Sequence, residues 1–161
     1  MIAINQNTAI AFTGHRLLED DRTTIKNKTV EILERYISSG FDTFLCGMAV
    51  GYDLLCGEAV IDLKQTNGGL KLVCCIPYKN SDKYYSKKDK ELFERILENS
   101  DESVILSKNY YNGCFHARDK FMVDNASVIV AYKIHDDSGT GFTAAYGAMQ
   151  GKKVLNVKDL L

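Results

Sequence analysis

The chain alternates short apolar segments with longer amphipathic ones, and this alternation restricts its fold more than any other feature. The apolar segments contain few polar residues and end at Phe12, Cys46, Ile76, Leu106, Tyr132 and Val157. Strands that are apolar on both faces are typical of parallel sheets covered by helices on both sides. The sequence therefore predicts a doubly wound α/β fold, with a mainly parallel, Rossmann-like sheet flanked by helices.

The predicted elements follow one another regularly along the chain. Strands are predicted over residues 8–12, 43–46, 70–76, 103–106, 128–132 and 154–157. Helices are predicted over residues 23–39, from 51 to the glycine pair at 68–69, around 92–97, and over 115–124 and 143–150. With 161 residues, of which 45% are hydrophobic, we expect one domain spanning 1–161.

Three glycine-bearing segments lie where a predicted strand gives way to a predicted helix. They are Thr13–Arg16, Gly47–Asp53 and Ser138–Thr143. Glycine lets the backbone approach a ligand closely, and a helix N-terminus offers unpaired N–H groups with a partial positive charge. Ligands in this fold class bind at the carboxyl ends of the strands, so we expect the three segments to converge on one phosphate site.

The first of these segments combines backbone access with side chains that bind anions. Gly14 exposes the backbone after the first strand, His15 is able to donate or accept a hydrogen bond near neutral pH, and Arg16 is able to clamp a phosphate. The alternative is that Gly14 only turns the chain while His15 and Arg16 cap nearby carbonyls.

The second segment adds a carboxylate to the expected site. Gly47, Met48, Ala49 and Gly51 precede Asp53, which we expect on the first turn of the second helix. Such a carboxylate accepts hydrogen bonds from ribose hydroxyls, or it caps its own helix. Glu58, further along the same helix, is expected on a solvated face, with a role toward the ligand as the alternative.

The third segment is the favoured phosphate cradle. Gly139, Thr140, Gly141 and Thr143 supply small side chains, hydroxyls and N–H groups ahead of the last predicted helix. The alternative is a flexible loop with a threonine helix cap. The Gly-Lys-Ser/Thr ending of a P-loop is missing, which argues against an ATPase.

Cationic and aromatic residues are predicted at the same rim of the sheet. Arg118, near the start of the fourth helix, is expected to point over the strand ends toward an anion. A further set of side chains on loops either stacks on a base or packs at an interface: Tyr78, Lys79, Tyr84, Tyr85, Tyr110 and Tyr111. Of these, we assign Tyr78 to the ligand site.

Composition excludes several other classes of function. A net charge of −1 and a pI near 6.3 give no general attraction to nucleic acid or to acidic membranes, so neither is an expected partner. Three scattered histidines and five cysteines without a C-x-x-C pair predict neither a metal site nor a cofactor. The cysteines are expected to be reduced core residues. Without a signal peptide or an apolar span, a cytoplasmic location is expected.

Five segments together resemble a known family. They are Ala11–Arg16, Gly47–Asp53, Ile76–Tyr78, Arg118–Asp124 and Gly139–Gly141 with Thr143. In combination they resemble the YpsA-like branch of the SLOG superfamily, Rossmann-like domains related to the Lonely Guy phosphoribohydrolases and to the core of DNA-processing protein A. The resemblance covers nearly the whole chain. It also implies a homo-oligomer, because related proteins pair through helices.

The resemblance bears on catalysis as well as on binding. In the Lonely Guy pattern an arginine and a glutamate cleave the N-glycosidic bond of a nucleoside monophosphate. Arg118 matches that arginine, whereas Ala144, Ala145 and Tyr146 stand where the glutamate is expected. The resemblance therefore implies nucleotide binding more strongly than hydrolysis.

These observations predict a binding module that senses or sequesters a nucleotide or a nucleotide-derived signal such as an ADP-ribose-type molecule. One alternative is a phosphoribohydrolase-like N-glycosidase. Its candidate catalytic residues are Arg118 with a carboxylate from Asp53, Glu58 or Asp119. A second alternative is single-stranded nucleic-acid binding through a local basic groove.

Overall fold

A six-stranded parallel sheet forms the centre of the molecule. We describe residues 3–161 from a computed structural model. The strands are β1 (Ala9–Gly14), β2 (Thr43–Cys46), β3 (Lys71–Ile76), β4 (Glu102–Ile105), β5 (Val128–Tyr132) and β6 (Lys153–Asn156). Their order is β4-β3-β2-β1-β5-β6, and each neighbouring pair is parallel.

Five helices connect the strands as crossovers. They are α1 (Arg22–Ser38), α2 (Tyr52–Thr66), α3 (Lys87–Glu98), α4 (Cys114–Asp124) and α5 (Gly139–Met149). Short 3-10 turns cover Gln6–Thr8 and Val157–Leu160. The predicted doubly wound, Rossmann-like class is confirmed. No helix within residues 3–161 is long and apolar enough to cross a membrane.

Two apolar layers cover the sheet, and the alternation of side chains along β1 shows how they divide. Ile10 and Phe12 belong to the larger layer, which also contains side chains of α1, α2 and α3. Ala9 and Ala11 belong to the smaller layer with Met122 and Val123 of α4. All five cysteines are buried free thiols, as expected of core residues.

The order of the strands reverses at the centre of the sheet. From β1 the chain proceeds outward through β2, β3 and β4, and then returns to place β5 on the other side of β1. β1 and β5 pair as far as Gly14 and Tyr132, so both strands end at the same level. A crevice for a ligand forms where two adjacent crossovers leave in opposite directions. Here it lies above the carboxyl ends of β1 and β5.

The start of α5 differs from the sequence-based prediction. The helix begins at Gly139 instead of Thr143, because the Ser138 hydroxyl caps it by accepting the Gly141 N–H at 3.0 Å. Gly139, Thr140 and Gly141 thus form the first helical turn, and the alternative of a loop capped by a threonine is wrong. β1 also extends through Gly14, beyond the predicted end at residue 12.

Gly51 is the glycine that the crevice geometry requires most clearly. Its φ is +83°, and a Cβ atom there would overlap the Arg16 and His15 carbonyl oxygens. The Tyr52 N–H donates to that His15 carbonyl at 3.2 Å, so the β1 loop and the start of α2 are in direct backbone contact. A side chain at position 51 would push these two segments apart.

We predict that Gly51→Ala destabilises the protein far more than Gly69→Ala. Both glycines have a φ of +83°, but a Cβ at Gly69 meets nothing within 4 Å. Gly69→Ala therefore costs only the backbone strain, about 1–2 kcal/mol. Gly51→Ala adds an overpacking cost of about 1–3 kcal/mol. Urea denaturation of the two variants measures the difference, and equal losses would contradict the assigned contact.

Candidate functional site

A cavity of about 390 Å³ lies at the reversal of strand order, and we call it the strand-end pocket. Segments following β1 and β2 and the first turns of α2, α4 and α5 line it. The lining residues are Thr13, Gly14, His15, Arg16, Ala49, Asp53, Phe115, His116, Arg118, Asp119, Gly139 and Thr140. The three predicted segments therefore converge at one place.

Arg118 is the most constrained side chain of the pocket. It is only 6% exposed, and its Nη1 donates to the Gly47 carbonyl at 2.7 Å while its Nε donates to Asp119 Oδ1 at 2.7 Å. A Cβ at Gly47 would lie 2.8 Å from Asp53 Oδ2 and 3.1 Å from Arg118 Cδ. Gly47 thus makes room for the buried guanidinium and carboxylate instead of lining the cavity.

Asp119 joins α4 to α5 at the rear of the site. One carboxylate oxygen accepts from Arg118, and the other lies 3.0 Å from the Thr143 hydroxyl. The same hydroxyl lies 2.9 Å from the Gly139 carbonyl. Thr143 was predicted to bind a ligand, but its hydroxyl positions Asp119 and the first turn of α5.

Asp53 is a buried carboxyl, 5% exposed, whose Oδ2 accepts the Ala49 N–H at 3.3 Å. Burial is the largest influence on it and raises its pKa from 3.8 to about 7, although the positive charge of Arg118 acts in the opposite direction. The negative charge of Asp119 adds to the increase. Asp53 therefore exchanges a proton near neutral pH inside the pocket.

His15 connects the end of β1 to the loop that follows β5. Its Nε2 accepts the N–H groups of Ile134 at 2.7 Å and His135 at 3.2 Å, which requires a neutral ring protonated on Nδ1. Burial is the main cause that lowers its pKa, and the nearby His135 lowers it further. The Nε2 atom of His15 thus holds the loop after β5, and its Nδ1–H is left to donate to a ligand.

Phe115 provides an aromatic surface between two cations. The guanidinium carbons of Arg16 and Arg118 lie 5.5 and 5.8 Å from the centre of its ring. These distances are within the range of cation–π interactions. The ring of His116, which also lines the pocket, lies 4.7 Å from that of Phe142.

The first turn of α5 presents hydrogen-bond donors to the pocket. The first N–H groups of a helix have no partner within it. Ser138 satisfies that of Gly141, whereas those of Gly139 and Thr140 have no hydrogen bond within the described chain. Both residues line the cavity, and a Cβ at Gly139 would meet no atom within 4 Å. This turn therefore suits an anion.

Most of the predicted binding residues reach the cavity, but some do not. Those lining it are Gly14, His15, Arg16, Ala49, Asp53, Arg118, Gly139 and Thr140. Met48 is 1% exposed, and its backbone carbonyl accepts the Tyr85 hydroxyl at 2.8 Å. The remaining predicted residues, Gly47, Gly51, Gly141 and Thr143, are not among the cavity-lining residues, and Tyr78 lines a separate groove.

Glu58 lies outside the strand-end pocket. Its carboxylate accepts from Arg22 at 3.0 Å and from Lys26 at 2.9 Å, forming an ion-pair cluster that joins α1 to α2. Glu58 was expected on a solvated face, but its side chain is only 19% exposed and is held by these ion pairs. Glu58 is absent from the cavity lining that contains Arg118, so the strand-end pocket does not bring these two residues together.

Three residues that line the pocket were not named individually as site residues from the sequence: Thr13, Phe115 and His116. Thr13 precedes Gly14 at the end of β1, so its place at the pocket could have been predicted from the sequence. Phe115 and His116 begin α4, and the general rule that helix starts face the strand ends applied to them too. Their side-chain directions depend on the path of the loop after β4.

The fold and the position of its pocket define a Rossmann-like α/β protein with its site at the strand reversal. The family model described as the YspA SLOG family, YpsA, matches residues 12–156. The chain therefore belongs to the YpsA family of SLOG proteins, which confirms the resemblance found from its motifs.

Curated relatives of this chain are distant in sequence but similar in extent. A UPF0398 protein of Listeria welshimeri is 26% identical over 145 residues, covering 83% of this chain and 80% of the relative. YpsA of Bacillus subtilis is 24% identical over 127 residues, covering 73% and 71%. YoqJ, an SPbeta prophage-derived protein of the same species, is 25% identical over 130 residues, covering 73% and 75%.

Solved structures share the fold at low sequence identity. DNA processing protein A (DprA) of Streptococcus pneumoniae superposes with a TM-score of 0.65 and 21% identity over 90% of this chain. DprA of Helicobacter pylori gives 0.63 with 17% identity over 91%, and the structural-genomics target TM1055 gives 0.59 with 15% over 91%. This chain spans 48%, 63% and 72% of those three chains, respectively.

We predict that Asp53→Asn flattens the dependence of stability on pH. Because folding raises the pKa of Asp53 to about 7, this carboxyl stabilises the fold while it is protonated. Its contribution is complete below about pH 4 and is lost as the pH rises through about 7. Urea denaturation across this range should show a smaller decline for Asp53→Asn than for the wild type.

Asp62→Asn, at an exposed position of the same helix, is the matched control and should leave the decline unchanged. A carbon-13 NMR titration of the wild type should give Asp53 a midpoint near 7. An ordinary carboxyl midpoint near 4 would contradict the assignment.

Proposed function

We propose that the chain binds a nucleotide or a nucleotide-derived signalling molecule of the ADP-ribose type in the strand-end pocket. The observation that carries this proposal is the hydrogen bonding of the Arg118 guanidinium group. Two of its nitrogens are held by protein, and its Nη2 has no hydrogen bond within residues 3–161. No buried side-chain nitrogen or oxygen of the described chain lacks a partner. Nη2 is therefore not fully buried, and Arg118 lines the cavity.

A phosphate fits the side of the pocket that α5 begins. The free N–H groups of Gly139 and Thr140 supply backbone donors, and Arg118 and Arg16 supply positive charge. The helix dipole of α5 adds to the attraction. Since Arg118 is fixed by Asp119 and Gly47 before any ligand arrives, little conformational entropy is lost on binding.

The remaining lining suits the sugar and the base. Asp53 accepts a hydrogen bond when ionised and donates one when protonated, and ribose hydroxyls match both states. Phe115, which lines the cavity, offers an aromatic ring that suits a base. A volume of about 390 Å³ is within the usual range of small-molecule sites. Sensing or sequestering such a molecule requires no chemistry beyond these contacts.

We predict that Arg16→Ala weakens nucleotide binding by about tenfold or more, because a charge-assisted hydrogen bond is lost. Arg16 is exposed, so the fold should persist. Isothermal titration calorimetry with AMP, ADP and ADP-ribose measures the effect. Arg35→Ala, which removes an arginine 76% exposed on α1, is the control and should bind normally. A wild type that binds no member of the panel would overturn the proposal.

An N-glycosidase is the second candidate, and the pKa of Asp53 favours it. A carboxyl that titrates near neutral pH beside an arginine is suited to general acid–base catalysis. Against it, α5 places no carboxylate near the pocket: Ala144 is buried, and the Tyr146 hydroxyl donates to Asp124 at 2.8 Å.

Release of free base from nucleoside monophosphates distinguishes the two candidates. If the chain is an enzyme, Asp53→Asn should lower the rate by about 10²-fold or more while binding by calorimetry survives. If the chain only binds, chromatography should detect no base above the level of a protein-free control. We expect the second result.

A further inference from the structure

A second concavity, of about 650 Å³, lies at the carboxyl ends of β3 and β4. We call it the lysine–tyrosine groove after the side chains that dominate its lining. These residues are Tyr78, Lys79, Asn80, Lys83, Tyr84, Lys108, Asn109 and Tyr110. The groove shares no lining residue with the strand-end pocket, and the function proposed above does not use it.

The charge of the groove is entirely positive. Its three lysines are Lys79, Lys83 and Lys108, and its lining contains no carboxylate. None of the three ammonium groups forms an ion pair with a carboxylate of residues 3–161, although Lys83 lies 5.2 Å from the centre of the Tyr84 ring. By contrast, Lys26, on α1, pairs with carboxylates of α2. The groove therefore attracts anions despite the net charge of −1.

The aromatic rings of the groove are unusually accessible. Tyr84 is 86% exposed and Tyr110 is 61% exposed. Tyr78 supports Tyr110 in an edge-on contact with 5.5 Å between the ring centres. Rings left open to solvent beside lysines offer flat surfaces on which planar groups stack.

The two loops that form the groove are attached to each other and to the core. The Lys79 N–H donates to the Ser107 carbonyl at 3.0 Å and joins the loop after β3 to the loop after β4. Tyr85 anchors the first loop, because its hydroxyl donates to Met48 and its ring packs edge-on against Phe93 at 5.8 Å. Tyr85 thus has a structural position, unlike Tyr84.

Aromatic side chains lie between the groove and the strand-end pocket and contact each other across the boundary. Phe115 lines the pocket, and its ring centre lies 6.2 Å from those of both Tyr78 and Tyr110, which line the groove. Arg16 lies on Phe115. Cations and rings therefore continue from one concavity into the other.

We propose that the lysine–tyrosine groove binds single-stranded nucleic acid. Such a strand carries what the groove recognises, with a phosphate for each lysine and an unpaired base for each open ring. The side-chain amides of Asn80 and Asn109 add donors and acceptors for base edges. In a duplex the bases are stacked on one another, so they are not available to the tyrosines. The groove therefore selects single strands.

The first test is fluorescence anisotropy with labelled oligonucleotides of about ten residues, close to the site sizes of known single-strand grooves. Oligo(dT) and oligo(U) arms distinguish DNA from RNA, and binding of either supports the proposal. Three phosphate contacts predict that log K falls with log salt at a slope of about −2. A blunt duplex of equal length should bind at least about tenfold more weakly.

Two sets of variants separate stacking from charge. Tyr84→Ala and Tyr110→Ala should each weaken binding by about tenfold without a change in the salt slope. Lys79→Gln, Lys83→Gln and Lys108→Gln combined should bring the slope close to zero. The matched control combines Lys71→Gln, Lys152→Gln and Lys153→Gln, the same change of charge at the amino ends of β3 and β6. It should bind as the wild type does.

Three outcomes would overturn the proposal: no binding of any single strand, equal binding of heparin and oligonucleotide, or equal loss in the control triple variant. Mononucleotide calorimetry on the lysine triple variant keeps this proposal distinct from the function proposed for the pocket. A variant that loses oligonucleotides but retains mononucleotides supports two separate sites. A variant that still binds both oligonucleotides and mononucleotides overturns the proposal for the groove and does not affect the proposal for the pocket.

Discussion

A buried guanidinium is the interaction on which the geometry of the site depends. Arg118 ties the segment after β2, through the Gly47 carbonyl, to Asp119 on its own helix. Asp119 in turn contacts Thr143 of α5. Three crossovers that leave the sheet at different strands are thereby fixed relative to one another. Removing the partners of a buried charge is costly, so the arrangement persists without a ligand.

Much of the fold followed from the sequence, because its determinants are local and periodic. The apolar runs at 43–46 and 128–132 gave strand bounds identical to those observed. The bounds of β1 and α5 were less accurate, since they depend on tertiary partners. β1 continues to Gly14 because β5 pairs with it as far as Tyr132. α5 starts earlier than predicted because Ser138 caps it, and the glycines that follow Ser138 had suggested a loop instead of a helix.

The candidate site was predicted in its location more than in its details. That strand ends converge is a property of the fold class, so Arg16, Asp53, Arg118 and Gly139 could be assigned to the pocket. The role of each glycine could not be predicted from the sequence. At most of these positions the absence of a side chain allows another part of the protein to pack closely. Gly141, for example, allows the Asp136 carbonyl to lie against α5. Only the three-dimensional structure distinguishes that use from an approach to a ligand.

The buried carboxyl at position 53 gives the pocket an adjustable charge. With a pKa of about 7, Asp53 is divided between its two forms at neutral pH. An anion that enters the cavity favours the protonated form, so the pocket takes up a fraction of a proton as it fills. A carboxyl that changes its protonation in this way allows the same pocket to bind ligands of different net charge. It also couples occupancy to the acidity of the surroundings.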